Sequence, residues 1–229
     1  FGETAEMPGE VGAYIVPPAD LQAGEYRNVT GTDAMAWGLT AGAQLADIKL
    51  VFCSYPITPA SSLLHSLAHL KNFDVVTFQA EDEIAAVGAA VGASYAGTLG
   101  VTSSSGPGVA LKGEMIGLAV MTELPLIIVN SQRAGPSTGM PTKTEQSDLY
   151  QAVYGRNGDS PLIVLAARSP ADCFEVGIEA VRLSTKYMTP VMVLSDTYIV
   201  NAAEPWLIPD TSTFDTFPTE FLEEPADFH

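Results

Sequence analysis

Cysteine is nearly missing from the sequence, with only Cys53 and Cys173 in 229 residues. Two thiols cannot build a disulfide framework, a cysteine-rich zinc site or an iron–sulfur cluster with four thiolate ligands, so both are expected to be reduced thiols in a cytoplasmic protein. Basic residues are scarce too. Ten Lys and Arg stand against 27 Asp and Glu, for a formal charge of −17. With no basic stripe to offset that field, phosphate backbones and anionic membrane surfaces are excluded as partners. Long runs of large aliphatic residues are absent as well. The longest uncharged stretch, 28 residues from Ile84 to Leu111, is mostly Ala, Gly, Ser and Val, carries SSSGPG near its end and lacks aromatic flanks. It reads as a buried helix, a strand and a loop, not as a membrane span.

The charge is concentrated at the ends. Residues 1–30 carry five acids and one Arg, and residues 201–229 carry seven acids with no Lys or Arg, around a middle that is close to ordinary. This divides the chain into an N-terminal linker or arm (1–30), one domain (31–200) and an acidic C-terminal linker or the start of a next domain (201–229). The opening segment is acidic and contains Pro and Gly, unlike a signal peptide, and the chain reads as a piece of a longer polypeptide.

From residue 31 onward, helical and extended patterns alternate. TDAMAWGLTAGAQLADI predicts a helix capped by Thr32 or Asp33, and KLVFCSY a buried strand that holds Cys53. PASSLLHSLAHL, Glu83–Ala96, Val109–Met121 and SPADCFEVGIEAVRLSTKY read as helices. FDVVTFQ, LGVTSS, LPLIIVN, SPLIVLA and TPVMVLSD read as strands. Unbroken alternation with Val/Ile/Leu-rich strands predicts an α/β fold: a doubly wound, mostly parallel sheet with helices on both faces. Sites in that architecture lie in loops beyond the carboxyl ends of strands. Four such loops are unusual: SYPITPAS, QAEDE, SSSGPG and the roughly twenty-residue NSQRAGPSTGMPTKTEQSDL.

Glu81, Asp82 and Glu83 crowd the start of one helix. Complementing the helix dipole accounts for one or two acids there, at ~0.3–1 kcal/mol each. Behind them, EIAAVGAAVGASYAG sets Gly88 and Gly92 four residues apart, which lets another backbone or a flat ligand come close. A carboxylate packed that tightly loses solvent and becomes able to share a proton, so Glu83 is a candidate acid/base group. Thr58 is bracketed by Pro56 and Pro59, which by themselves specify only a rigid extended turn. Arg133, one of few bases in the middle segment, has the planar fork suited to a carboxylate, although a surface Arg explains it equally. SSSGPG is no Walker loop, since no Lys-Ser/Thr follows, and could be a simple strand-to-helix turn. His65 and His69, four apart on a helix, lack the companions of a metalloprotease site, and no metal ligands are assigned.

Glu83 with Ala86, Ala90 and Gly92, followed by VTSSSGPG, resembles the aminopyrimidine-binding helix and Ser-Gly-Pro-Gly loop of thiamine diphosphate enzymes. Together with YPITPAS and QRAGPSTGMPTKTEQSDL, the pattern over residues 30–200 resembles the alpha subunit of 2-oxoacid:ferredoxin oxidoreductases, and the long loop is most similar to the 2-oxoglutarate branch. The resemblance implies that Glu83 bonds the pyrimidine nitrogen of thiamine diphosphate and drives its imino form. It further implies that Thr58 and Arg133 bind the substrate carboxylate and that Pro56, Ile57, Ser105 and Gly106 contact the cofactor. Oxidative decarboxylation of a 2-oxoacid to acyl-CoA and CO2 with electrons passed to ferredoxin is the activity implied. Lys143 or Arg156 is a candidate for a distal substrate carboxylate on charge alone.

The sequence departs from the family pattern where GTDA replaces Gly-Asn-Glu-Ala and PAS replaces Pro-Ser-Ser. It also has no Gly-Asp-Gly followed by a distant Asn, the pattern that holds Mg2+ and the diphosphate, and no cluster cysteines. A partner beta subunit is therefore expected to supply Mg2+, the diphosphate site and the iron–sulfur cluster in a hetero-oligomer. Competing readings are a pyruvate or branched-chain 2-oxoacid oxidoreductase, a thiamine-dependent decarboxylase or synthase, and a non-catalytic assembly module whose acidic cluster only caps a helix.

Overall fold

The structure, a computed structural model, describes residue 17 and residues 19–221; much of both acidic ends lies outside them. In chain order the elements are β1 (Tyr26–Thr30), α1 (Gly31–Leu45), β2 (Leu50–Ser54), α2 (Ser61–Ala68), β3 (Val75–Gln79), α3 (Glu83–Tyr95), β4 (Leu99–Ser104), α4 (Gly106–Leu111) and α5 (Gly113–Met121). They continue as β5 (Leu126–Gln132), α6 (Leu149–Tyr154), β6 (Ile163–Ala166), α7 (Asp172–Tyr187), β7 (Pro190–Asp196), α8 (Thr197–Asn201) and β8 (Ala203–Leu207).

Six strands form one parallel sheet in the order β3-β2-β4-β5-β7-β6, and β1 pairs antiparallel with β8 in a separate ribbon. Side chains along the central strands alternate between two apolar layers. Leu50 and Phe52 of β2, Ile127 and Val129 of β5 and Val191 and Val193 of β7 pack with α1, α2 and α7. Cys53, Leu126, Ile128, Met192 and Leu194 pack with α3, α5 and α6 on the opposite face. The period of two along each strand serves both layers at once, which is why these strands are apolar throughout. This is the doubly wound α/β fold that the alternation predicts.

The strand order reverses at β2. From β2 the chain steps outward to β3 by way of α2 on one face, then crosses back over β2 to β4 by way of α3 on the other. Right-handed crossovers in opposite directions require that switch of faces. The loops leaving β2 and β4 therefore diverge and open a crevice at the carboxyl edge.

Several boundaries differ from the sequence pattern for local reasons. Helix α1 is capped by Thr30, whose hydroxyl oxygen accepts the Asp33 amide at 3.1 Å. Thr32 instead donates inward to the Val200 carbonyl, and the Asp33 carboxylate accepts the Thr30 and Ser66 hydroxyls. The expected helix Val109–Met121 is two helices, α4 and α5, that meet at Lys112. The uncharged run from Ile84 to Leu111 is consumed by α3, β4 and α4, and no helix among the described residues is long and apolar enough to cross a membrane.

Glycine permits two close approaches. A Cβ on Gly38 of α1 would overlap the Phe174 carbonyl of α7, and one on Gly100 of β4 would overlap the Ala90 carbonyl of α3. By contrast, a Cβ on Gly92 meets nothing within 4 Å. Gly38→Ala is thus expected to destabilise the chain by about 1–3 kcal/mol, because backbone cannot rotate out of the way. Gly92→Ala should be neutral or stabilise by up to ~1 kcal/mol through helix propensity. Thermal unfolding of the two variants checks the contrast. Burial pushes the Cys53 thiol up to about 11 and Cys173 to about 12. Both should resist a disulfide reagent at pH 8 and react only in denaturant, as thiol titration will read.

Candidate active site

The acidic cluster divides its tasks. Asp82 is the N-cap of α3, its carboxylate accepting the Ala85 amide at 2.7 Å. Glu81 is exposed, and Glu83, the first helical residue, is half-buried. Its side chain lies against the Ser-Gly-Pro-Gly loop: a Cβ on Gly108 would come 2.9 Å from Glu83 Cγ and 3.1 Å from Oε1. The helix end is therefore satisfied without Glu83, whose carboxylate is directed at the start of α4.

Below that turn lies a residue the sequence reading missed. Lys112 is completely buried, and its Nζ donates to the Glu83 main-chain carbonyl at 3.0 Å and to Thr102 Oγ1 at 3.2 Å. No carboxylate pairs with it; the ion pairs among the described residues are Arg168–Asp172 and Arg182–Glu179. Burial lowers the ammonium to about 8, against the opposing pull of Glu83, Asp82 and Cys53. Because the folded value is the depressed one, the unfolded chain holds this proton more tightly. The resulting penalty of roughly 3 kcal/mol is fully present below pH 8 and fades as pH rises toward the unfolded value. The signal available in the sequence was a single Lys closing a long uncharged run.

Thr58 and Arg133, far apart in sequence, are brought together. Arg133 is buried, and its Nη1 donates to the Thr58 carbonyl at 2.6 Å while Nη2 donates to the Thr138 carbonyl at 2.9 Å. The guanidinium thereby ties YPITP to the GPSTG turn, and its Nε has no protein partner. Thr58 itself is exposed, as is Pro56, and Ile57 is half-buried on the same loop. Ser105, fully buried, directly follows β4 as the N-cap residue of α4, and Gly106 is the first helical residue.

The long loop is anchored from beneath. Asp148 accepts Asn130 Nδ2 at 3.0 Å and donates its amide to Gln132 Oε1 at 2.9 Å, and Gln132 in turn donates to the Ser195 carbonyl. Gln146 donates to Asp196, the buried cap of α8. These bonds set Asp148 so close to Gly106 that a Cβ there would lie 2.9 Å from its carboxylate. A polar cavity of about 250 Å3 results, lined by Gly106, Pro107, Arg133, Ser137 and Asp148 among others. Lys143 is exposed on this loop. Arg156 donates to the carbonyls of Ala152, Val153 and Ser160 and closes the end of α6.

The donor set suits a polar, flat ligand. Ser54, Ser104 and Ser105 hydroxyls, Asn130 Oδ1 and Arg133 Nε are buried without protein partners. Ser54, Ser104, Ser105 and Arg133 lie at or just beyond the carboxyl ends of β2, β4 and β5, and Asn130 lies two residues inside the end of β5, in register with Ser104. Buried polar atoms are otherwise almost always paired, so their concentration at this edge marks it as a ligand-facing surface. These residues fit an aminopyrimidine ring presented to Glu83. Among the described residues, no group of three or more His, Cys, Asp or Glu side chains could hold a metal ion.

Comparison with known proteins agrees with this geometry. Residues 42–229 match the family described as pyruvate flavodoxin/ferredoxin oxidoreductase, thiamine diphosphate-binding. The chain is 60% identical over 212 residues to the 2-oxoglutarate oxidoreductase subunit KorA of Mycobacterium tuberculosis, covering 93% of this chain and 32% of that protein. It is 43% identical over 167 residues to the 2-oxoglutarate synthase subunit KorA of Archaeoglobus fulgidus, covering 72% of this chain and 48% of that one. Among solved structures, the 2-oxoglutarate:ferredoxin oxidoreductase from Magnetococcus marinus, with 2-oxoglutarate, coenzyme A and succinyl-CoA bound, superposes with a TM-score of 0.84 at 39% identity, over 92% of this chain and 36% of that chain. The chain thus spans about a third to a half of the length of these relatives. With its doubly wound sheet, its Glu83 turned onto the Ser-Gly-Pro-Gly loop and this match over residues 42–229, the chain belongs to the thiamine diphosphate-binding family of pyruvate flavodoxin/ferredoxin oxidoreductases.

Proposed function

We propose that this chain supplies the pyrimidine-binding half of a thiamine diphosphate-dependent 2-oxoacid:ferredoxin oxidoreductase alpha subunit, with residues 31–200 as the binding unit. The substrate is 2-oxoglutarate, converted with coenzyme A to an acyl-CoA and CO2 while electrons pass to ferredoxin. The observation that carries this reading is the apposition of Glu83 to Gly108, with the cap of α3 already provided by Asp82. A carboxylate that is free of the helix end and lies against the Gly-rich loop can hold a ring nitrogen and share its proton. The 2-oxoglutarate assignment, over pyruvate, is supported by the names of the relatives in Mycobacterium tuberculosis and Archaeoglobus fulgidus.

Thiamine diphosphate, when bound, supplies the acidic carbon that adds to the 2-oxo group and accepts the electron pair left as CO2 departs. Glu83 orients the ring and moves a proton at its nitrogen; in a partly desolvated slot that charge counts for more than in water. Gly106 and Gly108 let the Asp148 and Glu83 side chains close onto the loop, and Ser105, Gly106, Pro56 and Ile57 would contact the ring. Thr58 and Arg133 receive the substrate carboxylate, Arg133 also fixing the two loops that frame it. Mg2+, the diphosphate contacts and an iron–sulfur cluster come from a beta subunit in a cytoplasmic hetero-oligomer. A docking face for that subunit is consistent with α3, α4 and α5, where Ile84, Leu111, Leu118 and Met121 are exposed and Gly92, Gly113 and Gly117 have open space above them.

Anaerobic viologen reduction by the complete alpha–beta complex, with coenzyme A and either 2-oxoglutarate or pyruvate, tests the reading. The wild type should respond to 2-oxoglutarate, and Glu83→Gln should lose at least ~100-fold in kcat while keeping the fold. Wild-type activity in that variant would reduce Glu83 to a helix-end acid and return the assembly-module reading. Arg133→Lys should raise KM for the 2-oxoacid by ~10-fold or more, because an ammonium cannot reproduce the fork between two carbonyls and a carboxylate.

A further inference from the structure

Lys112 has no part in the chemistry derived above, yet it is the only Lys or Arg that the interior encloses completely among the described residues. Its neighbours define what it does. Nζ reaches the carbonyl of Glu83, the residue whose side chain faces the Ser-Gly-Pro-Gly loop, and the hydroxyl of Thr102 in the middle of β4. It sits at the junction of α4 and α5, where the helix that starts at Gly106 ends and the next begins. One side chain thus links the loop after β4, the sheet beneath it and the first turn of α3.

We propose that Lys112 is a positioning residue for the Glu83 carboxylate: its buried ammonium anchors the first turn of α3 to β4 and fixes where Glu83 stands against Gly108. The inference rests on the functional reading of Glu83 given above. A main-chain carbonyl in the first turn of a helix already accepts its own i+4 amide, and a second, charged donor from below restricts the turn further. Merely filling the space would not require a charge, since a methionine of similar length fits without the desolvation penalty. The groups facing the ammonium are Glu83 and Asp82 from α3 and Cys53 from β2. A neutral amine keeps enough N–H groups for both hydrogen bonds, but it loses the positive charge beside the carboxylate. With burial bringing that loss to about pH 8, the charge is within reach of an ordinary pH profile.

The test uses the complete complex, wild type against Lys112→Met, with two readouts. Hydrogen exchange of the cofactor-stripped complex should show the amides of residues 84–88 exchanging at least ~10-fold faster in the variant, with the rest of the sheet unchanged. In steady-state turnover the variant should lose ~10-fold or more in kcat, with KM within ~3-fold, and an alkaline limb expected near pH 8 in the wild type should be absent from it. Exchange at 84–88 matching the wild type, or an unchanged kcat with the same limb, overturns the inference. A wild-type complex that turns over no 2-oxoacid overturns the functional reading and the catalytic half of this inference, and the exchange result still decides whether Lys112 anchors the turn.

Discussion

The reversal of strand order at β2 is the constraint on which the site depends. A parallel sheet buried on both faces has only its two ends open to solvent, and right-handed crossovers deliver every connecting loop from the carboxyl end. Because β3 and β4 lie on opposite sides of β2, the loop from β2 turns toward one helical layer and the loop from β4 toward the other. Thr58 and Ser105 are thereby separated by a crevice instead of being packed together. Arg133, from the next strand along, spans that crevice by binding the Thr58 carbonyl.

Within the crevice, the division of labour among the three acids is a matter of what each oxygen already satisfies. Asp82 spends its carboxylate on an orphan amide of α3, and Glu81 stays in water. Only Glu83 combines partial burial with a side chain turned to the Gly-rich loop. The small residues behind it are likewise of two kinds. Ala86 and Ala90 are buried toward the sheet, with Gly100 letting the helix settle on β4, whereas Gly92 lies under open space. One helix thus packs tightly inward and leaves its outward side able to receive another surface.

The fold was legible in the sequence because a doubly buried parallel strand announces itself through unbroken Val, Ile and Leu, and LGVTSS coincides with β4. Legibility failed where tertiary contacts decide. Ribbon strands β1 and β8 have mixed, exposed patterns and exist by pairing with each other. The α4–α5 break falls at Lys112, whose side chain is bonded to α3 and β4, contacts that the local pattern does not show. Helix α6 begins where Asp148 and Gln146 are held by β5 and the cap of α8. In the candidate site, the juxtaposition of Thr58 and Arg133 could be expected only through the resemblance, as seventy-five residues separate them. The local role of Arg156, whose donors meet the carbonyls of Ala152 and Ser160, was equally invisible in the sequence.

Energetically, this edge of the molecule is carried by the rest. An unpaired buried hydroxyl or amide oxygen costs about 1–3 kcal/mol, and a buried ammonium without a carboxylate costs a comparable amount. Ser54, Ser104, Ser105, Asn130 and Arg133 place several such groups at one end of the sheet, with Lys112 just below. The apolar layers on either side of β2, β4, β5 and β7 offset these costs by ordinary burial of Val, Ile and Leu. Stability is generated in the middle of the sheet and given up at its carboxyl edge. That distribution is what a preorganised site requires, because groups already desolvated and fixed need no rearrangement when a polar ligand arrives. The open glycines of α3 and α5 show the opposite state on the outer surface, where a Cβ on Gly92, Gly113 or Gly117 would meet nothing within 4 Å among the described residues.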